Sequence, residues 1–224
     1  MLVTKSMTEK VITIQRDAGL FEIRNLMKEH NIRHLPVVDG ENRLIGIVTD
    51  RDLRSAMPYR IYLEPTTATE ESERISQIKA ADIMTPDPIS IPVRYTIQDA
   101  LLLIDKNRVG AFPVTEEDGT LVGIISVRDL IRAFINVLGI EEPGILLGIV
   151  VEEKVGELKK IVDAITEENI SLGSILVARY QDEQKRAVFP YLLTNTVTRI
   201  KKKLEELGFK LLDPMDWYFD KIKK

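Results

Sequence analysis

Shifting the chain by 77 residues lays positions 4–56 on positions 81–133 without a gap. Met7-Thr8 falls on Met84-Thr85, Ile12 and Ile14 on Ile89 and Ile91, and Pro36-Val37 on Pro113-Val114. Leu44, Gly46 and Ile47 fall on Leu121, Gly123 and Ile124, and Arg51-Asp52-Leu53 on Arg128-Asp129-Leu130; 14 of the 53 columns are identical. Such a repeat constrains the fold strongly, because one pattern must solve the same burial problem twice. Two copies are too few for a solenoid, so a pair of similar small domains facing each other is expected.

Each copy carries the same order of elements. A short β-rich segment comes first (Val11–Ile14; Pro88–Val93). A helix follows, with apolar residues at helical spacing: Leu20, Ile23, Leu26 and Met27, or Ile97, Ala100, Leu101 and Ile104. Two apolar strands flank a polar turn: Leu35–Val38 and Leu44–Val48 around Asp39–Asn42, and Ala111–Thr115 and Leu121–Ile125 around Glu117–Thr120. A last helix begins near Asp50 or Val127. An α/β unit of about 55 residues is marginal alone, so pairing should help bury its core. The expected boundaries are 1–58 for the first copy and 80–140 for the second. Residues 59–79 form a linker: a loop at Pro65–Thr69, then a short amphipathic helix carrying Ile75 and Ile78.

Beyond Phe134 the character changes. Glu141-Glu142-Pro143-Gly144 reads as a linker into a further domain, 144–215, with a tail at 216–224 that holds the only tryptophan. Within it a strand is expected at Ile145–Val151 and a helix at Gly156–Glu168. A hairpin of Leu172–Tyr180 and Arg186–Leu193 follows, then a helix at Thr196–Leu207 and a strand at Phe209–Leu212. The order βαββαβ is the split-βαβ, ferredoxin-like arrangement. The fold class is therefore α/β (α+β).

Composition narrows the chemistry. The chain has 224 residues and no cysteine, which excludes a disulfide framework, a thiolate zinc site and a cysteine nucleophile. With only His30 and His34, a multi-histidine metal site is not expected. A net charge of −4 gives no reason to expect nucleic-acid binding by bulk charge. No apolar run approaches the ~18 residues of a membrane span. The start, MLVTKSMTEK, has no stretch resembling a signal peptide, so the cytoplasm is expected. Motifs of phosphate loops, dinucleotide folds, serine hydrolases and zinc proteases are absent, so no catalytic residue is assigned and the protein is expected not to be an enzyme.

One motif occurs twice at a strand-to-helix junction: Gly46-Ile47-Val48-Thr49-Asp50-Arg51-Asp52 and Gly123-Ile124-Ile125-Ser126-Val127-Arg128-Asp129. It fits a capping box, with Thr49 or Ser126 as N-cap and Asp52 or Asp129 at the third helical position. It also fits a nucleotide site. A helix N-terminus offers free N–H groups to a phosphate, the hydroxyl can add a hydrogen bond, and the carboxylate can accept from two ribose hydroxyls. Both readings can hold in one protein.

The repeats resemble CBS domains. The carriers are Met-Thr at the start, the amphipathic helix, Ile32-Arg33-His34-Leu35-Pro36-Val37-Val38, and Gly46 through Thr49 with Asp52. The second copy repeats them in Val109-Gly110-Ala111-Phe112-Pro113-Val114 and Gly123 through Asp129. The resemblance implies a tandem pair, a Bateman module, with two clefts that commonly bind adenine nucleotides or adenosine derivatives. Carried over, Asp52 and Asp129 would be the ribose carboxylates, and Thr49 and Ser126 the phosphate-side hydroxyls. The Asp52 cleft would also be lined by Thr85, Ser90, Val109 and Ala111, and the Asp129 cleft by Thr8, Thr13, Ile32 and His34. Arg33, Arg51 and Arg128 would meet phosphates or be solvated surface charges. The copies differ at Arg33-His34 against Gly110-Ala111 and at Asp50 against Val127, so unequal affinities are expected.

The C-terminal βαββαβ resembles an ACT domain, a small regulatory module that often binds amino acids. Its carriers are Gly148–Val151 and the loop Glu153-Lys154-Val155-Gly156-Glu157-Leu158, with Gly156 as the weak ligand-site candidate. Val155 stands where that family often has proline. The whole order resembles AcuB-type proteins, associated with acetoin utilisation. The resulting expectation is a non-catalytic sensor, probed by AMP, ADP, ATP or S-adenosylmethionine, with no obligatory cofactor. It would form a homodimer and act on an unidentified regulated protein. The alternative is a scaffold of an acetoin-utilisation-type pathway that binds no nucleotide.

Overall fold

A computed structural model of the chain describes residues 1–57 and 70–213. The expected loop Pro65–Thr69 and the tail 216–224 lie outside the described residues. The chain divides into two compact units, residues 1–131 and 132–224. The division falls inside a continuous helix, Val127–Leu138.

The first unit opens on a 3-10 turn, Val3–Lys5. Its first repeat holds α1 (Leu20–Glu29), β1 (His34–Val38), β2 (Leu44–Thr49) and α2 (Asp50–Ala56). Two short helices follow, α3 (Glu70–Gln77) and α4 (Ala80–Ile83). The second repeat holds β3 (Thr85–Pro86), β4 (Ile91–Pro92), α5 (Ile97–Asn107), β5 (Ala111–Thr115) and β6 (Leu121–Ser126), and leads into α6 (Val127–Leu138). The β-rich starts expected for both repeats shrink to little. Ile14 forms a single parallel bridge to Val37, and Ile91–Pro92 pairs in parallel with Val114–Thr115. Pro88 and Pro92 have no N–H for a longer ladder.

The apolar periodicity sets the core. Leu20, Ile23 and Met27 bury one face of α1 against Leu35, Val37 and Val48 of the strands. Ile75 of α3 joins the same cluster, so the spacer helix packs on the first repeat. The second repeat buries Ile97, Ala100, Phe112, Val114, Ile125 and Leu130 at the matching positions. Phe112 replaces Leu35 on the strand while Ala100 replaces Ile23 on the helix. One position gains volume where the other loses it, which keeps the core close-packed.

The sheets are not closed within one repeat. Thr85–Pro86, from the start of the second repeat, pairs antiparallel with Ile47 and Gly46 of β2. Thr8, from the start of the first, bridges to Ile124 of β6, with N–H···O bonds of 2.9 and 3.0 Å in the two directions. Glycine permits the approach: a Cβ on Gly46 would meet the Met84 sulfur at 2.5 Å, and one on Gly123 would run into that of Met7. The hairpin turns also reciprocate. The N–H of Leu44 donates to Gly119 O (3.1 Å) and that of Leu121 to Asn42 O (3.0 Å). Asn42 and Gly119 hold φ of 60° and 86° at these turns.

The second unit contains β7 (Ile145–Leu146), β8 (Gly148–Glu152), α7 (Glu157–Glu167), β9 (Leu172–Arg179), β10 (Lys185–Leu192), α8 (Thr198–Glu206) and β11 (Lys210–Leu212). Strands β7 and β8 are one interrupted strand, because both pair antiparallel with β10 in a single continuous register. The interruption at Leu147 faces Pro190. The Leu147 N–H donates to Pro190 O at 3.0 Å, but proline has no N–H to return. With β9 on the far side of β10 and β11 beside β8, the sheet is antiparallel and its four strands run fourth–first–third–second. Ile161, Ile165, Ile200 and Leu204 of the two helices cover it through Ile149, Val151, Val188 and Leu192.

Candidate ligand cleft

Strand β2 delivers Thr49 to the first residue of α2, and the local chemistry there is a complete capping box. The Thr49 N–H and hydroxyl both donate to Asp52 Oδ2 (2.8 and 2.7 Å), and the Asp52 N–H donates back to Thr49 Oγ1 (3.3 Å). Ser126 and Asp129 repeat it at the head of α6, at 2.8, 2.6 and 3.3 Å. In both boxes Oδ2 accepts two hydrogen bonds, from the cap residue's N–H and hydroxyl, while Oδ1 has no hydrogen bond among the described residues. Each carboxylate therefore caps its helix and keeps one acceptor oxygen.

A cleft of about 890 Å³ opens over the first box. That is a size typical of small-molecule sites. The first repeat contributes Arg33, His34, Thr49, Asp50, Arg51, Asp52, Arg54 and Ser55; the second contributes Thr85, Pro88, Ile89, Arg108, Val109, Gly110 and Ala111. The exchanged β3 places Thr85 opposite Ile47, two residues before Thr49. Thr49, Asp52, Thr85, Val109 and Ala111, expected in one cleft, thus stand together. Ser90 does not line it; its hydroxyl accepts from the buried Thr115 (3.3 Å).

His34 was expected in the Asp129 cleft; it and Arg33 line the Asp52 cleft. The reason is local. Gly110 has no side chain, and the His34 ring fills the space, with Nε2 3.0 Å from where a Cβ on Gly110 would sit. Burial and the neighbouring Arg33 charge push His34 below the usual imidazole value, against an opposite pull from Asp50 and Asp52.

Thr8 lies beside Ile124, two residues before Ser126. Ile32 packs against the first repeat's core, and Arg128 is exposed. Thr13 lines a smaller cavity of about 340 Å³ with Gln15, Asp17 and Glu22.

Sequence reasoning missed Arg54, Ser55 and Arg108 of the Asp52 cleft. Arg54 pairs with Asp50 one turn earlier on α2, an i,i+4 spacing that was visible in the sequence. Arg108 ends α5 in the left-handed region, φ 53°, where the first repeat has Asn31 at 51°. Arginine has no intrinsic preference for that conformation, so no sequence signal marked it. Arg33, Arg51 and Arg108 make no ion pair among the described residues. Four guanidinium groups thus line one cleft with Asp50 and Asp52, and only that of Arg54 is seen in an ion pair among the described residues. No group of three or more histidines or carboxylates arranged to hold a metal occurs among the described residues. None of their helices is long and apolar enough to cross a membrane.

In the second unit Gly156 caps α7 at φ 99°, and nothing lies within 4 Å of a Cβ built there. Its backbone conformation accounts for the glycine. Val155 beside it is fully exposed.

Two α/β repeats that complete each other's sheets define a tandem-repeat module with a shared cleft. The chain belongs to the CBS domain family, whose model matches residues 3–59 and 80–136. A CBS domain-containing protein of Dictyostelium discoideum is 32% identical over 138 residues, covering 62% of this chain and 94% of that protein. The inosine-5'-monophosphate dehydrogenase of Methanocaldococcus jannaschii is 33% identical over 122 residues, and the chain spans 21% of that enzyme's length. Among solved structures, an acetoin-utilization-type protein (AcuB) of Vibrio cholerae matches with a TM-score of 0.52 and 28% identity, over 64% of this chain and 98% of that one. CBSX2, solved in complex with AMP, matches with a TM-score of 0.50 and 24% identity, over 60% and 96%, a likeness of fold.

Proposed function

We propose that the protein is a non-catalytic, cytoplasmic sensor that binds an adenine nucleotide or adenosine derivative in its CBS pair. The observation that carries this reading is the free Oδ1 of Asp52, held by the capping box at a cleft of about 890 Å³ that also presents three unpaired guanidinium groups. In this reading Asp52 accepts from ribose hydroxyls, Thr49 and the start of α2 face the phosphate, and Val109 and Ala111 supply an apolar wall. Asp129 and Ser126 do the same in a second cleft of different affinity. The four-stranded order of the second unit and the left-handed Gly156 support an ACT domain that takes a second ligand or passes the signal to a partner protein. The apolar side chains that α6 exposes, Ile131, Phe134 and Val137, support a homodimer.

Titration calorimetry with AMP, ADP, ATP and S-adenosylmethionine tests this. Loss of a charge-assisted ribose contact in Asp52→Ala or Asp129→Ala should weaken binding by about 1.5–3 kcal/mol, roughly 10- to 150-fold. Binding lost in one variant and kept in the other identifies the working cleft. The complete capping boxes favour a second reading, a scaffold in which both aspartates serve only their helices. Absence of binding by the folded wild type would select it.

A further inference from the structure

The two repeats are nearly interchangeable at their capping boxes but not at the mouth of the Asp52 cleft. Arg33-His34 of the first corresponds to Gly110-Ala111 of the second, and these four residues line the same cavity. One imidazole therefore serves the cleft, set into the gap left by Gly110. Its charged surroundings come from two sides. Arg33 precedes it on β1, and α2 brings Asp50, Arg51, Asp52 and Arg54. Arg108, ahead of β5, is the further cation; Gly110, Ala111 and Thr85 contribute no charge. Asp50 is engaged by Arg54, and Asp52 Oδ2 by its helix cap. The anions nearest the ring are thus already committed, while Arg33, Arg51 and Arg108 are not.

These surroundings favour the neutral ring. Half-burial and Arg33 both disfavour the imidazolium. A phosphate entering the cleft reverses the balance, because its charge neutralises the guanidinium groups and favours a second cation beside it. An uncharged adenosine does neither.

We infer that His34 takes up one proton from solvent as a phosphorylated adenosine ligand enters the Asp52 cleft, and so makes that cleft select anionic over uncharged ligands. This rests on the nucleotide-binding reading above. The proton returns to solvent when the ligand leaves, and no covalent bond changes. By linkage, binding tightens as the pH falls from above the bound-state value of His34 towards its free-state value, and levels off below it. In the second repeat the position of His34 is taken by Ala111.

The chain's two histidines make the test direct. Proton NMR follows the ring C2–H of His30 and His34 across pH 5–8.5, without ligand, with saturating AMP and with saturating adenosine. His30→Gln assigns the signals, and the exposed His30 is the internal control. The expected result is a His34 midpoint about one pH unit higher with AMP than without, unmoved by adenosine, with His30 constant throughout. One unit corresponds to a tenfold change in affinity across the window. AMP affinity at pH 6 relative to pH 8 should therefore be severalfold greater, about fivefold, in wild type than in His34→Gln. That ratio cancels the titration of the phosphate itself, which also falls near pH 6. AMP binding with an unmoved His34 midpoint overturns this inference and leaves the nucleotide reading intact. Equal shifts with AMP and adenosine overturn the selection for charge. No binding of AMP at any pH overturns this inference; if ADP, ATP and S-adenosylmethionine also fail to bind, the nucleotide reading is overturned with it.

Discussion

Ile47 lies in antiparallel register with Thr85, although the 77-residue periodicity assigns the two to different repeats. The reciprocal pairing of Ile124 with Thr8 shows that each repeat lends the other its opening segment. The repeats are thus joined by main-chain hydrogen bonds as well as by side chains.

The methionines that precede the exchanged threonines should be coupled to the glycines beneath them. Gly46→Ala places a methyl against the Met84 sulfur and should lower stability by about 1 kcal/mol. In a double-mutant cycle with Met84→Ala, denaturant unfolding should return a coupling energy of about 1 kcal/mol. Additivity within error would mean that the contact is not felt.

Capping and ligand binding at Asp52 should separate chemically. Asp52→Ala removes the cap and should cost about 1 kcal/mol of stability. Asp52→Asn keeps an oxygen for the Thr49 N–H and should lose less, while its nucleotide affinity falls as far as that of the alanine variant. If affinity follows stability across the two variants, Asp52 acts through the helix alone.

Stability should fall in acid through turn and cap aspartates. Backbone N–H groups of Arg43, Thr120 and Gln184 hold Asp39, Asp118 and Asp182 below the usual carboxylate range, and the Thr96 hydroxyl does so for Asp99. The folded chain then binds fewer protons than the unfolded chain as pH drops past about 4. The stability these groups contribute is present above that range and is lost below it. Melting temperature should decline between about pH 5 and 3, and Asp99→Asn should flatten the decline. An unchanged slope in that variant would remove Asp99 from the account.

Pro190→Ala should mend the interrupted strand. The new amide faces Leu147 and can complete the ladder between β10 and the joined β7–β8 strand. Hydrogen exchange at position 190 should be as slow as at its neighbours on β10. Fast exchange there would show that the break has another cause.

The repeat, the apolar periodicity of α1 and α5 and the turn residues at Asn42 and Gly119 were legible because each is a local pattern. The order of elements in the second unit was legible for the same reason. The exchange of Thr8 and Thr85 left only a trace, the glycines at 46 and 123, since a glycine in a strand signals close approach without saying of what. That His34 also reaches the Asp52 cleft had no signal, because its position depends on an absent side chain, that of Gly110, far away in sequence. Arg108 was missed because its backbone conformation, not its residue type, aims it.

The exchanged segments also set an order of events on the ribosome. The first sheet has all its strands once Pro86 has emerged, so the first repeat can fold on a nearly contiguous stretch of nascent chain. Thr8 is synthesised more than a hundred positions before its partner Ile124. Until Ile124 has emerged, Thr8 lacks the strand it joins. Closing the second sheet is therefore the long-range, slow step of assembly, and it depends on the segment around Thr8 having stayed free.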